Sequence, residues 1–285
     1  MSFQQAHVGF RISDFGWNHS QSAIRNPQFR WGASLLFVAL ACGSGPTVAE
    51  AFSFSIEPSR IELSIPAGKQ RGKTVRIDNR KSEEPLHITV YAQDVVFLPD
   101  GTSEFAEPGS TTWSCARWVK VVPEEVDIPP GKSQEVRVSV AVPEGARGGY
   151  YAMVFFESRP SYVEKGLGIN FRIGALTEVS IPKTEVYQAK LVQLAWPEPH
   201  EIQVEIYNEG NVLIRPKGTL KLFNAQKRKV AQLELNPQRL GILPKTARSF
   251  HVSVNSVEPG TYELRVEIDY GAPYLLVGER TIHVK

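Results

Sequence analysis

From Phe52 onward, apolar residues recur with a period of two. Ile61, Leu63 and Ile65 alternate with Glu62 and Ser64; Val136, Val138, Val140 and Val142 alternate with Arg137, Ser139 and Ala141. Near the C-terminus, Tyr262, Leu264, Val266, Ile268 and Tyr270 alternate with Glu263, Arg265, Glu267 and Asp269. Successive side chains of a strand point to opposite faces, so this pattern puts one face in a core and the other in water. No window carries a long apolar stripe at helical spacing, and the chain reads as all-β. Turn signals punctuate the runs: Pro66-Ala67-Gly68, Asp78-Asn79, Pro99-Asp100-Gly101, Pro129-Pro130-Gly131, Asn208-Glu209-Gly210-Asn211 and Glu258-Pro259-Gly260. Short strands so spaced predict β-sandwiches. One set fits between Phe54 and Ile181 and another between Tyr187 and Val284, with Pro182-Lys183-Thr184-Glu185 as the boundary, because proline interrupts the ladder there. The expected domains are residues 52–182 and 186–285. Both halves share a rough plan: a strand ending in a polar turn (Ile77-Asp78-Asn79 and Ile206-Tyr207-Asn208), then a Pro-Gly turn before a late strand.

The first fifty residues read differently. Arg25 and Arg30 precede an apolar run from Gly32 to Ala41; Gly43, Ser44, Gly45 and Pro46 break it, and Ala49-Glu50-Ala51 follows. A basic segment, an apolar segment and an A-x-A site make a secretory signal peptide. The apolar run is about half the roughly 20 residues a membrane span needs. The expectation is a leader over 1–51, no transmembrane span in the mature chain, and a periplasmic or secreted protein. Leu40-Ala41-Cys42-Gly43 loosely resembles a lipoprotein cleavage site, which makes a lipid anchor on Cys42 the second reading. Cleavage after Ala51 leaves Cys115 as the lone cysteine, expected to be buried as a small hydrophobe.

Chemistry-bearing motifs are sparse. A formal charge of +2, from 32 basic and 30 acidic residues, gives no reason to expect nucleic acid. Gly131-Lys132-Ser133 lacks the upstream glycine and following helix of a phosphate loop, so it reads as a turn. There is no G-x-S-x-G or H-E-x-x-H, and His87, His200, His251 and His283 are scattered singly. The expectation is a protein that is not an enzyme, with no catalytic residues, metal or cofactor.

Several segments carry a likeness. They are Phe54-Ser55-Ile56-Glu57-Pro58-Ser59-Arg60-Ile61-Glu62-Leu63, Val75-Arg76-Ile77-Asp78-Asn79, Pro129 to Val138, Gly149 to Glu157 and the long segment Gly168 to Ile181 ending on Pro182. Their order resembles the N-terminal domain of the PapD-like periplasmic chaperones of pilus and fimbria assembly, over about residues 52–182. The resemblance implies two immunoglobulin-like domains in tandem and a client subunit bound by β-strand addition. It also implies a pair of basic residues that hold the client's C-terminal carboxylate. Arg60 falls at the first basic position. At the second, near the end of the last strand, stands Leu176-Thr177-Glu178-Val179, with no lysine or arginine; Arg172 is the nearest. Ile169, Phe171 and Ile173 share one parity of that strand and, with Arg60, are the expected client-binding residues. Replacing Ile169 and Phe171 with polar residues is then expected to abolish client binding without unfolding the chain. The other expectation is that this parity faces the core of its own sandwich.

The second half, with Asn208-Glu209-Gly210-Asn211-Val212 and Pro259-Gly260-Thr261-Tyr262, is similar to Ig-like modules of bacterial surface proteins. Pro58 to Leu63 and Leu98-Pro99-Asp100-Gly101 also resemble the WxL-interacting proteins. The alternative function is therefore a secreted or surface-anchored binding or structural module, using loops such as Leu98–Ser114, with Trp113, or Ser158–Leu167. The partners expected are pilin-like or surface protein subunits.

Overall fold

The computed structural model describes residues 54–284 apart from 81–83, 160–162, 165–166, 169, 199 and 256. The leader, its cleavage at Ala51 and the anchor on Cys42 lie outside the described residues, as does Ile169. No helix among the described residues is long and apolar enough to cross a membrane.

Strands dominate, as the period-two pattern requires. The first half contains β1 (Ser55–Glu57), β2 (Arg60–Ser64), β3 (Gln70–Asp78), β4 (Leu86–Phe97), β5 (Ser103–Ala106), β6 (Val119–Val122) and β7 (Glu125–Ile128). It continues with β8 (Ser133–Ala141), β9 (Gly148–Ser158), a short hairpin of β10 (Val163–Glu164) and β11 (Leu167–Gly168), and β12 (Arg172–Ile181). One sheet runs β1-β3-β8-β6; the other runs β2-β12-β9-β4-β5, with β7 also on β4. Val75, Ile77, Val136 and Val138 of the first sheet meet Ile61, Ile88, Val154, Phe156 and Ala175 of the second in one buried cluster. The second half holds β13 (Ala189–Glu198), β14 (Glu201–Asn208), β15 (Lys217–Phe223), β16 (Lys229–Leu235), β17 (Ala247–Ser253), β18 (Gly260–Asp269) and β19 (Leu276–Val284). Its sheets, β13-β14-β17 and β16-β15-β18-β19, close over Ile202, Val204, Ile206, Leu220, Leu264 and Val266. Two immunoglobulin-like sandwiches in tandem are the result.

The shared plan of the halves has a physical basis that differs from the turns expected. Asn79 and Asn208 end equivalent strands and are fully buried. The Asn79 amide donates to the carbonyls of Glu84 and Ile128, each at 2.9 Å; the Asn208 amide donates to Val212 at 2.8 Å and Ile242 at 2.9 Å. Their backbones also match. Asn79 N–H donates to Lys132 and Gly131 N–H to Asn79; Asn208 N–H donates to Thr246 and Lys245 N–H to Asn208. Gly131 (φ 69°) therefore corresponds to Lys245 (φ 60°), not to Gly260. The glycine is dispensable at the second site because the same bonds hold Lys245 in the left-handed region, which a lysine enters only at a cost.

The sandwiches dock on each other through Val95, Tyr151, Leu213 and Leu243, a buried cluster flanked by Phe97, Trp113, Met153 and Leu176. Leu213 N–H donates to the Tyr151 phenol oxygen, and Gly149 N–H to the Asn211 carbonyl at 2.8 Å. Gly148 sits at φ 79°, and a Cβ there would lie 2.6 Å from the Asn211 carbonyl oxygen, so only glycine fits. At a second point the β4–β5 turn reaches β17: Ser249 N–H donates to Pro99 at 2.9 Å. The buried Arg248 guanidinium donates to Gly241 at 3.1 Å and Gly101 at 3.4 Å.

Asn208→Ala is expected to destabilise the protein by about 2–4 kcal/mol, since it strands two buried carbonyls. Asn79→Ala should cost less, because Asn208 also accepts from Gly210 N–H through its side-chain oxygen while the Asn79 oxygen has no partner among the described residues. Urea unfolding checks both; a loss below about 0.5 kcal/mol for Asn208→Ala would contradict the bridging role. Tyr151 adds a pH dependence. Burial pushes its phenol pKa well up, so the folded state holds that proton more tightly than the unfolded chain. The associated stability is intact below the ordinary phenol value of about 10 and drains as pH rises beyond it. Tyr151→Phe should lose about 1–3 kcal/mol at neutral pH by orphaning Leu213 N–H, and should show a shallower decline in stability above pH about 10.

Candidate functional site

The pairing of β12 determines where the molecule is open. On one side β12 pairs antiparallel with β9 along its whole length, from Arg172 opposite Glu157 to Ile181 opposite Gly148, with no register shift. On the other side β2 runs parallel and covers only Leu176 to Ser180, opposite Arg60 to Ser64. Pro58 precedes β2 and has no N–H to extend the ladder, and β1 pairs with β3 in the opposite sheet. Among the described residues, no strand covers the outer side of Arg172 to Ala175.

Hydrogen bonds identify which groups face that gap. Ser158 N–H donates to the Phe171 carbonyl at 2.8 Å, so Phe171 faces β9, whereas Leu176 N–H donates outward to Ser59 at 3.3 Å. By strand alternation, the backbone N–H and C=O of Arg172 and Gly174 point into the gap. They form a short edge, unpaired among the described residues, beside a ladder with no register shift.

The side chains divide between two faces. Ala175, Thr177, Val179 and Ile181 are buried, and Ile173 packs against the first sandwich's core. The apolar parity therefore faces inward over most of the strand, and Phe171, at 37% exposed, is its outlying member. On the outer face, the Arg172 guanidinium lies 4.3 Å over the Phe155 ring and 5.7 Å from the Phe105 ring. It donates to the Tyr91 phenol at 3.4 Å, and Tyr91 in turn donates to Glu157. Burial, followed by the Glu157 bond, raises the Tyr91 pKa. This folds Arg172 back over its own sheet and away from the gap. Gly174 lets Met153 and Phe155 lean across β12; a Cβ there would sit 2.6 Å from the Met153 sulfur.

Where the gap meets the start of β2 stands Arg60, its side chain 50% exposed. Its Nε is 3.3 Å from Glu178 Oε1, and its Nη1 is 3.6 Å from Glu62. Neither contact is a hydrogen bond. The same Glu178 oxygen accepts a hydrogen bond from Arg215, which the second sandwich contributes. Sequence reasoning sought a second basic residue within 176–179 and missed Arg215. Its signal lay in the other half of the chain, legible only once the docking of the sandwiches placed the two together.

Of the other candidate regions, Leu98–Ser114 is structurally occupied, whereas much of Ser158–Leu167 lies outside the described residues. The Leu98–Thr102 turn is docked on β17, while Trp113 packs in the cluster between the sandwiches and Trp118 against the Tyr150 ring at 4.4 Å. Asp94, fully buried, accepts from Gly109 N–H at 3.0 Å, Thr111 N–H at 2.7 Å and the Ser114 hydroxyl, and so pins the 107–114 loop. Cys115 is buried, with its thiol pKa pushed up by burial and then by Asp94, which makes it an inert packing residue. Among the described residues, no group of three or more His, Cys, Asp or Glu is placed to hold a metal.

Fold and site together define a tandem pair of immunoglobulin-like sandwiches with an unpaired strand edge next to an arginine-rich junction. No protein-family model matches the chain, and no curated protein matches it. Among solved structures it is similar to fimbrial chaperones. One is a chain of the chaperone–tip adhesin complex of CFA/I fimbriae biogenesis, at 19% identity and TM-score 0.48, over 80% of this chain and 98% of that one. The Class 5 fimbriae chaperone CfaA matches at 18% and 0.48, over 80% and 99%, and the E. coli chaperone DraB at 14% and 0.42, over 82% and 98%.

The two described apolar residues of the expected client set should separate on substitution. Ile173→Ser is expected to lower stability by about 1–2 kcal/mol, because it removes packing from the core. Phe171→Ser should lose less than Ile173→Ser, because Phe171 lies at the outer end of the apolar parity and is the more exposed of the two. Equal losses in thermal or urea unfolding would show that Phe171 is also core.

Proposed function

We propose that the protein is a non-enzymatic periplasmic chaperone-like protein that holds partner subunits by β-strand addition during assembly of a pilus, fimbria or other surface structure. In this reading residues 52–182 and 186–285 are its two domains, and pilin-like or surface subunits are its clients. The observation that carries the reading is the open half of β12. Arg172 and Gly174 present backbone donors and acceptors that a client strand can take up, which gives affinity with little dependence on client sequence. A strand added parallel to β12 would lie end to end with β2, with its last residue beside Ser59 and Arg60. Because Arg60 makes ion pairs but no side-chain hydrogen bond among the described residues, its N–H groups are available to the client's final carbonyl. Phe171 would flank the client's other end and Ile173 would hold the edge in place from the core side; Ile169, outside the described residues, remains part of the proposed client-binding set. The near-neutral charge of the chain favours such backbone pairing over broad electrostatic capture.

The test is to capture the client from periplasmic extract, identify it by mass spectrometry, and titrate it against variants. Arg172→Pro removes one outward N–H while breaking no bond to β9, and should weaken binding about tenfold with the fold retained. Arg60→Ala should weaken it about three- to tenfold. Unchanged binding by a folded Arg172→Pro protein would contradict strand addition at this edge.

A further inference from the structure

The junction at Arg60 has an unusual charge arrangement. Arg60, from the start of β2, and Arg215, just before β15, converge on one oxygen of Glu178. The Glu178 side chain is only 12% exposed, and Glu62, opposite Glu178 in the β2–β12 ladder, is a second carboxylate on Arg60. Two guanidinium groups therefore face two carboxylates, and the cluster carries no net charge. An isolated pair of arginines at this spacing would be a ready carboxylate site, since guanidinium forks bind carboxylates strongly and with defined geometry. Here the chain supplies the carboxylate itself.

We infer that Glu178 is a specificity-determining residue: it fills the carboxylate site formed by Arg60 and Arg215, so the chain accepts a strand without selecting for a free terminal carboxylate. The inference rests on the strand-addition reading for its biological meaning, but not for its chemistry. A client strand ending at Arg60 in an amide-like backbone group meets available N–H donors. One ending in a carboxylate meets the same donors together with the negative field of Glu178 and Glu62. The charge that would reward the free acid is already neutralised within the protein. Removing the Glu178 charge while keeping its shape should expose that reward.

The experiment uses a seven-residue peptide of alternating valine and threonine, N-acetylated, as its C-terminal acid and as its C-terminal amide. Each is titrated into the full chain at low ionic strength, where electrostatics are least screened. Two sets of NMR signals are followed: the side-chain Nε–H of Arg60 and Arg215, and the backbone amides of Arg172 and Gly174. In the native protein, acid and amide should bind within about threefold of each other. In Glu178→Gln the acid should bind at least about tenfold more tightly than the amide, with both arginine side-chain signals shifting. Adding Arg215→Gln to that variant should return the ratio to below about threefold. Glu178→Ser serves the same purpose if the glutamine variant does not fold. The inference is overturned if a folded Glu178→Gln protein treats acid and amide alike, or if the native protein already prefers the acid tenfold. If the arginine signals distinguish acid from amide while the Arg172 and Gly174 amides stay still, the inference stands and strand addition at β12 fails.

Discussion

The partial cover of β12 by β2 is the constraint on which the rest of the site depends. β2 pairs with Leu176 to Ser180 and cannot continue past Pro58, so the strand that closes the first sandwich is left half open. Exposed edges invite pairing with other chains, and proteins blunt them with bulges, prolines and charge. This chain does so elsewhere: β13, an edge of the second sandwich, carries two register shifts and Pro197. The open part of β12 has neither a bulge nor a proline, and its one charge, Arg172, is drawn back over Phe155. This edge lacks the devices that β13 carries, and the strand-addition proposal rests on it.

The docking of the two sandwiches gives that surface its second component. Tyr151, Leu213, Leu243 and Val95 exclude water between them, and the Gly148–Gly149 backbone approaches Asn211 closely enough to forbid larger residues. The same contact carries Arg215 to Glu178, 37 positions away in sequence, and joins it to the ion cluster of Arg60, Glu178 and Glu62 at the end of the open edge. Arg248 and the Leu98–Thr102 turn make a second, separate contact, so the junction does not rest on the ion cluster alone. The ion cluster can therefore be altered at Glu178 without the sandwiches having to separate.

Much of this was legible in the sequence, and the limits have physical causes. Alternation located the major strands because half-buried sheets impose a period of two whatever the topology. The buried Asn79 and Asn208 were visible as polar strand ends, but their partners were not, since a glycine in one half corresponds to a lysine in the other. The apolar parity of β12 was readable, yet alternation alone could not say which face met the core. Burial of Ala175, Val179 and Ile181 assigns that parity to the first sandwich, and leaves the backbone of Arg172 and Gly174 rather than an apolar stripe as the open feature. Arg60 was named from the resemblance that its contiguous strand segment carries. Arg215 was not, because nothing near it marks a site.

The central claim is that a client strand pairs with the outer edge of β12 at Arg172 and Gly174. Amide hydrogen exchange of the chain, alone and with its captured client, tests this directly. The Arg172 and Gly174 amides should exchange readily in the free protein and slow by at least about tenfold in the complex, while the inward-facing Ile173 amide changes little. Protection confined to the 98–114 loop, with Arg172 and Gly174 unchanged, would contradict it.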